Sequence, residues 1–396
     1  MTGPPLPPLP KGTVILQVLP ALNLAGGVER GTLEMAEAIV AAGGEALVAS
    51  AGGPRVAELT ALGARHVRLP LDAKSPLALW RNARALLRLI ESEGVALVHA
   101  RSRAPAWSAW WAARRAGVPF VTTYHGAYRE NFPGKRLYNS VMARGDRVIA
   151  ISGFVAGLIR ARHAVEEARL RIIPRGVDPR RFDPARILPE DLARVQAELG
   201  LPPGAFVLLL PGRLRRWKGG EVALAALARL SGAEAWLVFA GGGAERGFGA
   251  ALRRAAAAAG LEGRVRFAGA RADMPHLYAL ADVVLAPSLE PEAFGRTVIE
   301  AQAMGRVVIA SAHGGAAETV APGKTGFLVP PGDAAALAAA IETAIGLGAA
   351  GRAALGAAAR EAVLARYTTR ALQAATLAVY RELLPPPRGG AGEDDA

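Results

Sequence analysis

The sequence predicts an α/β protein made of two Rossmann-like domains, each a parallel sheet wrapped by helices. Three observations carry this expectation. The chain has 396 residues, more than one core of ~100–200 residues ordinarily organises. Short β-branched runs alternate with helical stretches, stop at a proline-rich segment near the middle, and restart. Apolar residues make up 52% of the chain but aromatic residues only 6%. Abundant alanine and glycine suit helices laid closely on sheets better than an aromatic-rich sandwich.

In order, residues 13–19 (TVILQVL) read as a buried strand, and Ala25-Gly26-Gly27 as the loop after it. Val28 to Ala42 has helical periodicity and stops at Gly43-Gly44. Residues 45–50, 95–100, 118–124, 147–151 and 170–173 read as further strands, with helices predicted over 76–93 and 104–116. The tryptophans of the latter, Trp107, Trp110 and Trp111, are expected to pack in the core because their segment lies between two buried strands. Residues 174–189 contain four prolines and mark the interdomain connection. The alternation resumes with strands at 206–210, 235–240, 264–268, 282–286 and 306–310. Helices are predicted from about 219 and over 244–259, 273–280, 297–304, 333–365 and 368–384. The expected division is 1–185, 186–367, a last helix 368–384, and a disordered tail 385–396 of proline, glycine and acids.

The absence of cysteine excludes a disulfide framework and a thiolate metal site. The proline-rich start lacks the pattern of a signal peptide, and no apolar run reaches the ~18–20 residues of a membrane span, so a cytoplasmic protein is expected. The net charge of +13 is uneven. Residues 1–180 hold 24 Lys/Arg against 13 Asp/Glu, and residues 181–396 hold 23 against 21. Such a basic half suits an anionic membrane, a phosphorylated lipid or saccharide, or nucleic acid, although arginine-rich composition alone also produces it. Residues 80–90 and 128–147 carry arginines beside apolar side chains and are the candidate membrane-facing segments.

Ligands of open parallel sheets bind beyond the carboxyl ends of strands. Four segments stand there. In Gly212-Arg213-Leu214-Arg215-Arg216-Trp217-Lys218-Gly219, two cations five residues apart suit a diphosphate, since arginine grips bidentately and lysine adds a mobile charge. A solvated basic turn is the alternative. In the stretch from Glu292 to Glu300, Gly295 precedes a helix whose free amides can bind phosphate. Two carboxylates flank that start, and each can accept hydrogen bonds from vicinal hydroxyls. A capping or surface role is the alternative for Glu300. Gly26-Gly27 permits close backbone approach but lacks the spacing of a dinucleotide fingerprint. His125, after a strand, is placed to meet a ligand, though a lone histidine is more often structural.

The ordered set resembles the retaining glycosyltransferases of family 4, which have the two-domain GT-B fold. The likeness runs from about Val14 to Leu384. It rests on Glu292 and Glu300 inside EAFGRTVIEAQAMG, on GRLRRWKG from Gly212 to Gly219, on Gly26-Gly27, on Tyr124-His125-Gly126 and on Ile172 to Phe182. The resemblance implies domains facing across a cleft, the last helix crossing back to the first domain, and transfer of a hexose from a UDP- or GDP-linked sugar to a saccharide or glycolipid. Arg213 and Lys218 would bind the diphosphate and stabilise the leaving group. Glu300 would hold the ribose. Glu292 would contact the transferred sugar, and Phe294, Gly295, Arg296 and Thr297 would lend backbone amides. Gly26 and Gly27 would approach the donor, and His125 would sit beside the anomeric centre. No cofactor, metal or nucleic acid is implied. The one departure is Arg175, where the family commonly has asparagine. The segment GRTVIEAQAMG is similar to enzymes of lipopolysaccharide or capsule assembly, which would place the protein at the inner face of the cytoplasmic membrane. A dehydrogenase, a nucleotide-sugar epimerase of the same fold and a non-enzymatic anionic-polymer binder are the rival readings.

Overall fold

The computed structural model describes residues 3–384 except 25, 129, 231–233 and 244–246. The predicted tail, with Glu393-Asp394-Asp395, lies outside the described residues. The chain forms two compact units. One comprises 1–174 together with 370–396, and the other 175–369.

The first unit carries seven strands: β1 Val14–Val18, β2 Glu45–Ser50, β3 Arg65–Arg68, β4 Val95–Ala100, β5 Phe120–Tyr124, β6 Arg147–Ala150 and β7 Leu170–Ile172. They pair in parallel in the order β3-β2-β1-β4-β5-β6-β7. β1 and β5 are buried along their whole length, as a sheet covered on both faces requires. Sequence periodicity missed β3, because its residues RHVR carry too little apolar signal.

The helix Arg103–Ala116 corrects one expectation. Its buried residues are Ala104, Pro105, Ala106, Ser108, Ala109, Ala112 and Ala113, while Trp111 is 41% exposed. Small residues let the helix approach its neighbours, and the indoles are displaced outward. Arg144 stacks over Trp107 and Trp110, and the Trp107 indole N–H donates to the Tyr138 carbonyl at 3.1 Å.

The last helix, Thr369–Leu383, belongs to this first unit. Gln373 donates to the Glu34 carbonyl at 2.8 Å, and Glu382 accepts from Arg147 and Arg171 at 2.7 and 2.8 Å. The buried His99 ring bridges Tyr380 Oη at 2.6 Å and Thr123 Oγ1 at 2.7 Å. Burial pushes the Tyr380 phenol up to about 12.

The second unit carries six strands: β8 Phe206–Pro211, β9 Ala235–Ala240, β10 Val265–Gly269, β11 Val283–Ala286, β12 Val307–Ser311 and β13 Phe327–Val329. They too are parallel, in the order β10-β9-β8-β11-β12-β13. Leu208, Leu210, Leu237, Phe239, Leu285 and Ile309 join one core with Leu252, Leu337 and Ile341 of the covering helices. Residues 175–185, expected in the first domain, pack here. Val177 bridges Thr368, its N–H donates to the Tyr367 carbonyl at 2.8 Å, and the Thr369 N–H donates back to Val177 at 2.9 Å. The single helix expected over 333–365 is two, Ala334–Gly346 and Gly348–Arg366, bent by 107°. Gly348 adopts a φ of 65°, which reverses the chain where alanine periodicity gives no warning. Among the described residues no single helix is long and apolar enough to cross a membrane, though this bent pair passes the same test jointly.

Candidate active site

In a doubly wound sheet the strand order reverses direction at one place, and the crevice there is the natural ligand site. In the second unit that place lies between β8 and β11. The loops leaving these two strands carry Arg213 and Lys218 on one side and Ser288 and Glu292 on the other. Backbone contacts lock the loops together. The Leu289 N–H donates to the Trp217 carbonyl at 2.7 Å. Gly219 sits at φ 75°, and a Cβ there would fall 1.9 Å from the Pro287 carbonyl oxygen.

Lys218 Nζ donates to Glu292 Oε1 at 2.8 Å, with the two side chains only 15% and 14% exposed. The same carboxylate oxygen accepts from Ser288 Oγ at 2.5 Å. Lys218 Nζ also lies 4.7 Å from the Trp217 ring centroid. A mobile cation, a carboxylate and a hydroxyl thus meet at one point. Arg213 is exposed and makes no hydrogen bond or ion pair among the described residues.

Beyond Glu292 the chain turns at Gly295, φ 83°, into the helix Arg296–Ala303, whose amino end has no side-chain cap. Such an end presents donor amides and a positive dipole. The loop after β12 buttresses this turn. The Gly315 N–H donates to the Glu292 carbonyl at 2.8 Å, and a Cβ on Gly315 would lie 2.4 Å from Phe294 Cα. Phe294 is 4% exposed and packs on Tyr367, so only its backbone is available to a ligand. Arg296 sends a guanidinium N–H towards the Gly176 carbonyl at 3.4 Å, while Thr297 is half-buried in the first turn. On the next turn, Glu300 Oε2 accepts from the Tyr278 hydroxyl at 2.9 Å. Tyr278 is fully buried, and burial first, then the neighbouring Glu300, raises its phenol well above the ordinary value. It therefore remains a donor and fixes one oxygen of Glu300.

The first unit supplies its own strand-end residues. Gly26 precedes the helix Gly27–Ala41, whose amino end likewise lacks a side-chain cap, and Gly27 has open space around its Cα. His125 follows β5 and is half-buried beside the fully buried Tyr124. The strand order reverses between β1 and β4. There the structure adds Arg101, 2% exposed, donating to Gln17 Oε1 at 2.7 Å.

Of the predicted residues the structure brings Lys218 and Glu292 into contact and sets Glu300 in the helix that follows; beside them stand Ser288, Tyr278 and Gly314-Gly315, and in the first unit Arg101, which the sequence did not single out. The strand-end rule that found Lys218 covers Ser288, Arg101 and the second glycine pair equally. Nothing in the sequence marks Tyr278, an aromatic within the short helix Met274–Leu280. Among the described residues no group of three His, Cys, Asp or Glu is disposed to hold a metal ion.

Known proteins fit this arrangement. Residues 193–362 match the model of Glycosyl transferases group 1, and residues 25–181 that of Glycosyltransferase Family 4. A solved glycosyltransferase from Rickettsia africae superposes with a TM-score of 0.87 at 35% identity, covering 94% of this chain and 98% of that one. The Anabaena protein Alr3699/HepE, solved in complex with UDP and glucose, superposes with a TM-score of 0.81 at 25% identity, covering 93% and 99%. D-inositol 3-phosphate glycosyltransferase of Salinispora arenicola is 32% identical over 265 residues, 60% of this chain. That match spans 58% of the curated relative's own length.

Proposed function

This chain belongs to the GT-B glycosyltransferases, group 1 in its second half and family 4 in its first, and from that premise we propose that it moves a hexose from a UDP- or GDP-linked donor to a saccharide or glycolipid with retention of anomeric configuration. The observation that carries the reading is the meeting of Lys218, Glu292 and Ser288 beside the uncapped helix at the switch point of the second unit. Departure of the nucleoside diphosphate puts negative charge on its phosphates. Arg213, Lys218 and the amides from Phe294 to Thr297 stabilise that charge with dipoles already in place. Glu292 exchanges Lys218 for the hydroxyls of the transferred sugar, and Glu300, steadied by Tyr278, accepts the ribose hydroxyls. Gly26, Gly27 and His125 are assigned to binding of sugar and acceptor. The bound UDP and glucose of the Anabaena relative support a UDP-linked donor.

The acceptor reading rests on charge. The first 180 residues hold eleven more cations than anions. That balance fits a phosphorylated glycolipid of cell-envelope assembly, met at the inner face of the cytoplasmic membrane. The transfer chemistry needs no metal in this reading, since fixed cations and amides supply the charge. The test is a thermal-shift screen of nucleoside diphosphate sugars followed by anomeric NMR of the product, with and without EDTA. A stabilising donor, an unchanged anomeric configuration and full activity in EDTA are expected; an inverted product, or release of epimerised donor without transfer, overturns the reading.

A further inference from the structure

One feature of the first unit takes no part in the chemistry above. At the amino ends of β6 and β7, the opposite edge of the sheet from the strand ends bearing His125 and Gly26, lies a cavity of 910 Å³. Six arginines line it: Arg114, Arg136, Arg144, Arg147, Arg162 and Arg169. Asp146 is the one carboxylate in its lining, and its Oδ2 is already engaged by the Phe120 N–H at 2.8 Å.

The arginines are held rather than neutralised. Arg169 donates to the Gly145 and Ala143 carbonyls, Arg162 to the Tyr128 carbonyl, and Arg136 to the Arg162 carbonyl. Arg114 and Arg144 lie against the Trp110 ring. Of these six arginines only Arg147 has a carboxylate partner among the described residues, Glu382. Carbonyl oxygens and indole faces orient guanidinium groups without cancelling their charge, so the cavity keeps a concentrated positive field. His163, in the same wall, is held below its ordinary pKa by burial, with Arg136 and Arg162 adding to the effect against Glu130. Several guanidinium groups around one opening suit a doubly charged phosphate, with its several acceptor oxygens, better than a singly charged carboxylate. Leu137, in the lining, is 63% exposed, and Phe132, five residues earlier in the chain, is 55% exposed.

We propose that this arginine-lined cavity is a second anion site, which binds the phosphomonoester group of a ligand distinct from the sugar donor. The exposed Leu137 in its lining, with the exposed Phe132 five residues before it in the chain, favours a lipid headgroup as the carrier of that phosphate. The proposal deepens the anionic-surface part of the reading above and is independent of sugar transfer.

The experiment compares the wild type with two variants of equal charge loss. Arg114→Gln with Arg144→Gln empties the cavity wall, and Arg229→Gln with Arg254→Gln removes two exposed cations of the second unit. Each protein is co-sedimented with phosphatidylcholine vesicles with and without phosphatidic acid, and titrated with glycerol 3-phosphate by calorimetry. UDP binding is measured in parallel as a check on the donor site. The cavity variant is expected to lose about thirtyfold in partitioning to the acidic vesicles, roughly fivefold per cation near an anionic surface, while UDP binding is unchanged. The second-unit variant is expected to lose far less. Glycerol 3-phosphate binding that the cavity variant lacks supports the site and, without vesicle binding, assigns it to a soluble phosphate ester. Equal losses in the two variants, or a cavity variant that binds both probes like the wild type, overturn the proposal. Arg114→Glu alone replaces the double variant should that one melt early.

Discussion

Lys218 and Glu292 hold each other while no donor is bound, and this sets what their removal costs. Lys218→Ala removes a cation from the leaving group and also leaves Glu292, mostly buried, with Ser288 alone. Turnover is expected to fall by a factor of ~10² or more, and the melting temperature is expected to fall as well, because an unpaired buried charge is costly. Arg213→Ala, exposed and without such a partner, should lose turnover at an unchanged melting temperature. Near-wild-type rates in both would remove the diphosphate role. Glu300→Gln and Tyr278→Phe should both weaken binding of free nucleoside diphosphate, the latter by a factor of ~10 or more through one lost hydrogen bond to a charged group. Glu292→Gln should chiefly slow sugar transfer. Calorimetric UDP affinities that are equal in all three variants would contradict that division. At this scale charged residues following strands were legible, because a charge beyond a buried strand has few structural reasons to be there. Ser288 and Tyr278 were not, since hydroxyl and phenol groups are ordinary in turns and cores until their partners are seen.

Parallel strands announce themselves as short apolar runs, and β1, β2, β4, β8 and β9 stand within one or two residues of their predicted bounds. What failed was whatever lacked that signal: the charged β3, the three-residue β13, and the break at Gly348 inside continuous alanine. The tryptophan trio misled because an apolar face was taken for the buried one, while alanines held the closer contact. Two elements yield predictions. Gly219→Ala forces a Cβ against a carbonyl oxygen from the neighbouring loop at a positive φ. It should cost more than ~1–3 kcal/mol, the range for backbone strain alone, and separate the Lys218 loop from the Glu292 loop. A melting temperature and turnover both near wild type would show that the two loops tolerate separation. In the last helix, hydrogen bonding to Arg171, then Arg147, holds Glu382 below the usual carboxylate range. A depressed carboxyl stabilises above its unfolded value of ~4.3 and loses that contribution as pH falls through the folded value. Glu382→Gln should therefore be less stable than wild type at neutral pH, by at most ~1 kcal/mol for a partly exposed group, and the difference should vanish in acid. A constant difference across the titration would exclude the linkage.

At the scale of the whole molecule the sequence showed two domains because the strand–helix alternation stops and restarts. It misplaced the boundary because proline content marks where regular structure ends, whereas Val177 pairs with a strand-like segment nearly two hundred residues later. The charge asymmetry was visible as a total, but its concentration around one cavity required the fold. The path of the chain has a further meaning. The second unit is a continuous stretch inserted into the first, which is completed only by Thr369–Leu383. A ribosome releasing this chain from its amino end therefore delivers the second unit whole while the first still lacks Tyr380, Gln373 and Glu382. Until those residues emerge, His99 and Arg101 are without the phenol that joins them in the finished protein. The half that begins first is thus the half that must wait: its seven strands are made before the second unit, but the helix bearing Tyr380 follows only after that unit.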